Sequence, residues 1–167
     1  MRGGWLGKNK RDTMNKRDAM PTDPTETRQR WMGVLARADR AALERAWKAL
    51  PEQPAYRHLR RPESGLVMLR GRAGGTGQAF NVGEMTVARC SVQLGDGTVG
   101  HAYAAGRDLR KAELAAVFDA LLQTAAGAAL SRNLIEPLAA QIAARRATTG
   151  RKAAATRVDF LGLVRAQ

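Results

Sequence analysis

The stretch from Gly65 to Asp108 constrains the fold most, because glycine-rich turns divide it into short apolar runs. The chain is expected to reverse direction at Gly74-Gly75 and at Asp96-Gly97, since glycine adopts a positive φ without steric cost. Between Met85 and Leu94 apolar and polar side chains largely alternate, which is typical of a strand with one buried face. Together these features predict an antiparallel β-meander.

The meander is expected to contain about four strands within residues 56–104. The first is a short strand from Tyr56 to Leu59, which ends at the charged segment Arg60–Ser64. We therefore predict an α+β fold, in which the meander packs with an N-terminal helical hairpin and with C-terminal helices.

The helical hairpin is predicted from two helix-start signals before the meander. Asp23-Pro24-Thr25-Glu26 combines a capping aspartate, a proline at the first helical position and the glutamate of a capping box. Asp39 is placed to cap a second helix. The apolar residues of the two helices recur at helical spacing and are Trp31, Val34, Leu35, Leu43, Ala46, Trp47 and Leu50. We expect both tryptophans to anchor the core.

Two further helices are predicted after the meander. Asp108 is placed to cap the longer one, which Gly127 weakens or ends, and the second spans about Ile135 to Ala147. The basic segment Arg145–Arg157 is expected to be a linker.

The ends of the chain differ from its middle in composition. Residues 1–22 are basic and almost free of apolar side chains after Leu6, so we expect a flexible basic arm. Residues 23–167 are expected to form a single α+β domain, whose last segment, about 148–167, docks on a partner. The candidates for that interface are apolar or acidic and are Val158, Asp159, Phe160 and Leu163.

Charge and cysteine content limit the functional classes. With 28 Lys and Arg against 15 Asp and Glu, the net charge of +13 favours polyanionic partners such as nucleotides or nucleic acid. The single cysteine, Cys90, excludes an internal disulfide and a metal or iron–sulfur site built from cysteines of one chain. No run of 18 apolar residues and no secretory signal is present, so we expect a cytoplasmic protein without a membrane-spanning helix.

Two loops are candidate anion sites. In Arg72-Ala73-Gly74-Gly75-Thr76-Gly77 the backbone amides of a glycine-rich loop lie beside a basic side chain, although a plain hairpin turn explains the same residues. The loop lacks the Lys-Ser/Thr of a phosphate-binding P-loop. Arg107 precedes a predicted helix start, where anions are favoured, unless Asp108 already caps that helix.

No set of catalytic residues emerges from the sequence. His58 and His101 are the only histidines, and each stands in an apolar strand context without a carboxylate at metal-ligand spacing. A general-base role for His101 and a structural role both remain open. We therefore predict no catalytic residues and no metal site in this chain.

Several segments together resemble the PhnG subunit of the carbon–phosphorus lyase system. They follow the order and roughly the spacing of that family over about residues 25–165. The matching segments are Thr27–Met32, Gly65–Val67, Arg72–Gly77, Asp96–Gly100, Gly106–Asp108 with Ala112-Glu113, Asp119–Leu121 and Thr156–Phe160. The basic arm is not covered, and the resemblance implies nothing about it.

The resemblance implies a hetero-oligomer with PhnH-, PhnI- and PhnJ-like subunits and with PhnL- or PhnK-like ATPase proteins. Such an assembly displaces adenine from ATP with an alkylphosphonate, which gives α-D-ribose 1-methylphosphonate 5-triphosphate in organic phosphonate catabolism. It also implies that this transferase-type chemistry lies on the PhnI-like partner. An iron–sulfur cluster and S-adenosylmethionine are then expected on a partner subunit and no cofactor on this chain.

Two hypotheses follow from these expectations. In the first, this chain is a non-catalytic or accessory subunit, and Arg72, Gly74–Gly77 and Arg107 either complete an anion pocket at a subunit junction or shape a partner's surface. In the second, it is a basic nucleic-acid-binding module that uses the N-terminal arm and residues 145–157. The predicted sheet has no row of aromatic residues for base stacking, so we expect no nucleic-acid partner.

Overall fold

A computed structural model describes residues 23–72 and 77–155. The described chain has a three-stranded antiparallel sheet in the order β1-β2-β3, with helices before and after it. The strands are β1 (Tyr56–Arg72), β2 (Ala79–Leu94) and β3 (Val99–Ala105). The helices are α1 (Pro24–Arg37), α2 (Arg40–Lys48), α3 (Leu109–Leu122), α4 (Gly127–Leu130) and α5 (Glu136–Ala155), with a π-helical turn at Ser131–Ile135. The predicted α+β class is therefore confirmed.

The sheet is an antiparallel meander, as the glycine pattern predicts. The turn between β2 and β3 places Gly97 at a φ of +90°, and the Thr98 amide donates to the Asp96 carboxylate at 2.8 Å. Non-glycine side chains rarely adopt that backbone conformation, so the glycine is required there.

The described residues contain three strands where about four were expected, because the first two predicted strands are one. The segment Arg60–Ser64 does not interrupt β1; its register against β2 shifts between His58 and Arg60 and again between Arg60 and Glu63. Pro62 lies within this irregular stretch of an edge strand, where its missing amide removes no ladder hydrogen bond. The proline and the charged residues of this segment therefore indicate a pair of β-bulges and not the end of a strand.

The two N-terminal helices form as predicted. The Asp23 carboxylate accepts from the Thr25 amide at 2.9 Å, and Pro24 occupies the first position of α1. Asp39 takes the N-cap position of α2 without a side-chain hydrogen bond to that helix. Val34 and Leu35 are buried in the core, and Trp31 packs against it half-buried.

The core lies between the sheet and α3, which is buried over most of its length. Asp108 caps α3 by accepting from the Lys111 amide at 3.0 Å, as predicted. Phe118 is the largest fully buried side chain of the described residues and belongs to the same cluster as Cys90 and Val92 of β2. Gly100 of β3 faces the α3 backbone so closely that a Cβ atom there would overlap the Ala116 carbonyl oxygen. This glycine lets helix and sheet approach each other.

The last helix is longer than predicted. The expected basic linker over Arg145–Arg157 is helical as far as Ala155, eight residues beyond the predicted end at Ala147. Its alanine, arginine and lysine residues are strong helix formers, and the Thr148 hydroxyl donates to the Ala144 carbonyl at 3.1 Å. The basic arm of residues 1–22 and the interface candidates Val158, Asp159, Phe160 and Leu163 lie outside the described residues.

Candidate functional site

Two carboxylates of α3 collect side chains from distant segments, and the first is Asp119. Its side chain is fully buried and accepts from Arg28 through Nη2 at 2.7 Å and Nε at 3.3 Å. Trp31 Nε1 donates to it at 2.8 Å, and the His101 backbone amide donates at 2.9 Å. One carboxylate therefore joins α1, β3 and α3.

Every acceptor position of the Asp119 carboxylate is directed at a donor of the chain. Arg28 also donates to the Val99 carbonyl at 3.3 Å, so its guanidinium connects α1 to β3 as well as to α3. A buried carboxylate with a charged partner and further donors avoids the penalty of an isolated buried charge. The network therefore positions helices against the sheet and leaves Asp119 no oxygen for a substrate.

The second carboxylate, Glu113, lies near the surface between α3 and β1. It accepts from the Tyr56 hydroxyl at 3.0 Å and from Arg110 Nη1 at 2.7 Å, and it pairs with His58 Nε2 at 2.9 Å. Tyr56 in turn makes edge contacts with the rings of Trp47 and His58, at centroid distances of 6.2 and 5.6 Å. Side chains of α2, β1 and α3 thus meet around Glu113.

The electrostatics of this cluster keep Glu113 ionised. Burial alone would raise the pKa of Glu113, but hydrogen bonds from Arg110, Tyr56 and His58 together lower it below its ordinary value. The pKa of Tyr56 is raised, first by burial and then by its hydrogen bond to the carboxylate. Glu113 is therefore an acceptor that orients the His58 ring, not a proton donor.

A shallow surface groove of about 450 Å³ opens beside Glu113. Its lining is mostly basic or apolar and consists of His58, Arg61, Pro62, Leu109, Arg110 and Glu113. Among the described residues, this is where a histidine paired with a carboxylate lies next to arginine side chains. Such a surface suits contact with an anionic group.

The residues predicted to bind an anion are only partly brought together. Arg72 and Gly77 line a small polar hollow of about 270 Å³ together with Arg70, at the far end of the β1–β2 hairpin. Gly74, Gly75 and Thr76, between those two residues, lie outside the described residues.

Arg107 lies elsewhere, at the base of that hairpin. It follows Gly106, whose amide donates to the Thr86 carbonyl at 2.9 Å. Leu66 pairs with Thr86 and Arg72 with Ala79, which separates the two ends by about 20 Å of strand. A single pocket within one chain therefore does not contain both Arg72 and Arg107, and an anion-binding role for either remains a prediction.

The remaining candidates have structural partners. His101 Nδ1 lies 2.9 Å from the Ser91 hydroxyl on the exposed face of the sheet. Cys90 is buried in the core, as predicted from its strand face, and burial raises the pKa of its thiol to about 11. Its Sγ donates to the Arg60 carbonyl at 3.4 Å.

Sequence reasoning missed both carboxylate centres. Four of the side chains that bond these two carboxylates, Arg28, Trp31, Tyr56 and His58, lie 55 to 91 residues away in sequence, so helical or strand periodicity carried no signal for the two centres. A signal was nevertheless present, since both residues lie within the segments that carry the family resemblance, as do Arg28 and Trp31.

The described residues contain no helix that is both long and apolar enough to span a membrane. Within residues 23–72 and 77–155 there is also no group of three potential metal ligands close enough to hold an ion.

Comparison with known proteins assigns a family to this architecture. The family model described as "Phosphonate metabolism protein PhnG" matches residues 26–166. A curated protein of Rhizobium meliloti (strain 1021), "Alpha-D-ribose 1-methylphosphonate 5-triphosphate synthase subunit PhnG", is 46% identical over 140 residues. That alignment covers 84% of this chain and 90% of the relative.

Proposed function

This chain belongs to the PhnG family of phosphonate metabolism proteins, and we propose that it is a subunit of an alpha-D-ribose 1-methylphosphonate 5-triphosphate synthase. The observation that carries the proposal is the 46% identity to a subunit of that name over 90% of its length. The proposed assembly displaces adenine from ATP with an alkylphosphonate.

Within that assembly we assign this chain an accessory role. Arg28, Trp31 and Asp119 belong to the segments that resemble the family, and they bond one another inside the fold. Gly100 permits close packing and Asp108 caps α3, so these motif residues also serve the fold. These structural roles support a division in which the displacement of adenine takes place on a PhnI-like partner.

The proposed partners are PhnH-, PhnI- and PhnJ-like subunits, together with PhnL- or PhnK-like ATPase proteins. ATP is a substrate of the assembly, and we place the iron–sulfur cluster and S-adenosylmethionine on the PhnJ-like subunit. The net charge of +13 supports a position near ATP and the triphosphate product.

Arg72 and Arg107 each lie at a separate junction with a partner in this proposal, and two roles are open for each of them: completing an anion site or contacting the partner. Arg72→Ala and Arg107→Ala test them, with Arg57→Ala as an exposed arginine outside both loops. An intact assembly with weakened ATP binding would support an anion site. Loss of assembly would instead assign that arginine to a partner contact.

Co-purification tests the subunit proposal. The tagged chain is expressed with the PhnH-, PhnI- and PhnJ-like proteins of the same organism, and the eluate is separated by size exclusion at moderate salt. The proposal predicts one large complex that contains all four chains. A monomer that ignores these proteins and binds nucleic acid with steep salt dependence would overturn it in favour of the nucleic-acid-binding module.

A further inference from the structure

The hairpin of β1 and β2 extends well beyond the third strand. β3 ends where Ala105 pairs with Val87, whereas β1 and β2 continue their pairing to Arg72 and Ala79. We call residues 65–72 and 79–86 the extended hairpin. It projects by about 20 Å as a two-stranded ribbon.

The extended hairpin carries most of the exposed apolar bulk of the described chain. Five of the eight large hydrophobic side chains that are exposed there lie on it, with Leu66 at 64% and Val82 at 61% exposure. The other three are Met68, Leu69 and Phe80. Exposed apolar side chains concentrated on one projection mark an interaction surface.

These side chains occupy both faces of the ribbon. Ser64 pairs with Ala88, which faces the helices, so Leu66 and Met68 continue that face by strand alternation. Leu69 is one position out of phase and points to the opposite face. A flat partner surface would cover one face only, so the extended hairpin fits into a cleft.

The backbone of the extended hairpin supports the same conclusion. From Thr86 toward the tip of the hairpin, β1 and β2 pair only with each other among the described residues, so the outer edge of each strand has no neighbouring strand. Isolated two-stranded hairpins are marginally stable in water, and open strand edges in folded proteins are normally covered or blocked. A surrounding partner would supply the missing apolar contacts and would also cover the open strand edges.

Charge distinguishes between possible occupants. Arg70 and Arg72 are exposed near the tip of the extended hairpin, and Glu84 is the one acidic residue in its described part. A second copy would bring these arginines, and a chain of net charge +13, against the same charges. A cleft with acidic side chains at the tip end complements them.

We propose that the extended hairpin docks into an apolar cleft with an acidic rim on another subunit of the synthase. This inference rests on the proposed function and assigns the interaction to a specific element of the chain. The C-terminal interface candidates Val158, Asp159, Phe160 and Leu163 lie outside the described residues, so the two surfaces are tested separately.

The test replaces exposed leucine and methionine on the extended hairpin, where no core packing is lost. Leu66→Ser with Met68→Ser is compared with Leu59→Ser, which removes an exposed leucine on β1 outside the extended hairpin. In co-purification with the partner subunits, the double variant is expected to bind about 100-fold more weakly. The Leu59 variant should assemble like the unmodified chain.

A second measurement keeps the test decisive if the double variant folds poorly. Hydrogen exchange of the unmodified chain, alone and in the complex, should show strong protection of residues 65–72 and 79–86 only in the complex. Unchanged exchange there, or full assembly of the double variant, would overturn the docking proposal and leave the subunit proposal intact. Failure of the unmodified chain to assemble would refute the subunit proposal. A self-dimer that is lost in the double variant would identify a second copy of this chain as the partner of the extended hairpin, and so would overturn docking into a cleft of another subunit.

Discussion

Substituting Asp119 by asparagine should destabilise the fold although the side chain keeps its shape. The Asp119 oxygens face four donor contacts, from Arg28 Nη2 and Nε, Trp31 Nε1 and the His101 amide. An asparagine oxygen can still serve the donors on one side. Its amide group then points at the donors on the other side. When the oxygen faces Arg28 Nη2 and the His101 amide, the Trp31 N–H therefore loses its acceptor.

The magnitude follows from that count. A buried donor without an acceptor costs about 1–3 kcal/mol, and loss of a charge-assisted bond adds about 1 kcal/mol. Arg28 is one-third exposed and partly recovers in water, so it adds little. The free energy of unfolding should therefore fall by about 2–4 kcal/mol, which lowers the Tm of a chain of this size by about 5–15 °C.

Urea unfolding followed by circular dichroism measures the effect. Glu136→Gln is the matched control, because it removes the same charge from an exposed pair in which Arg30 and Glu136 lie 3.0 Å apart. That pair should contribute less than about 1 kcal/mol. If Asp119→Asn costs no more than Glu136→Gln, then the buried network does not hold α1 against the sheet, and the structural assignment of these motif residues is refuted.

Three further predictions concern packing, pH and thiol reactivity. Gly100→Ala should leave the chain largely insoluble or unfolded, because its Cβ would overlap the Ala116 carbonyl; soluble yield and circular dichroism measure this, and a soluble, folded variant would contradict the close approach. Gly150→Ala, in open space within α5, should instead stabilise the chain by about 0.5–1 kcal/mol in urea unfolding. The folded-state pKa of Glu113 lies below its ordinary 4.5, so its charge adds stability that is fully present above pH 4.5 and is lost as the pH falls through the folded pKa. The difference in the free energy of unfolding between the unmodified chain and Glu113→Gln should therefore shrink over that acid range. A difference independent of pH would contradict the cluster. Cys90, with a pKa of about 11 against an ordinary 9.0, should carry about 100-fold less thiolate at pH 8 than an exposed cysteine. Iodoacetamide should therefore label it quickly only in urea. Rapid labelling of the native chain would place Cys90 at the surface.

Local signals in the sequence predicted much of the fold. The caps at Asp23 and Asp108, the turn at Gly97 and the buried face around Cys90 depend on interactions within a few residues, and the structure confirms each of them. The number of strands was wrong because a β-bulge around Pro62 has the same composition as a strand end.

Other features depended on contacts that the sequence does not encode locally. The Asp119 and Glu113 centres appear only once α1, the sheet and α3 are assembled. The separation of Arg72 from Arg107 likewise follows from how far the β1–β2 pairing extends past β3, which strand periodicity does not define. The helical continuation to Ala155 was missed because threonines and a glycine outweighed its alanines and basic residues in the prediction.

Adenine release measures whether the synthase reaction requires this chain. The PhnH-, PhnI- and PhnL-like proteins are incubated with ATP and methylphosphonate, with and without this chain, and adenine is quantified by chromatography. Methylphosphonate-dependent adenine release, with formation of ribose 1-methylphosphonate 5-triphosphate, is expected only when this chain is present. Equal release without this chain would contradict its role as a subunit of the synthase.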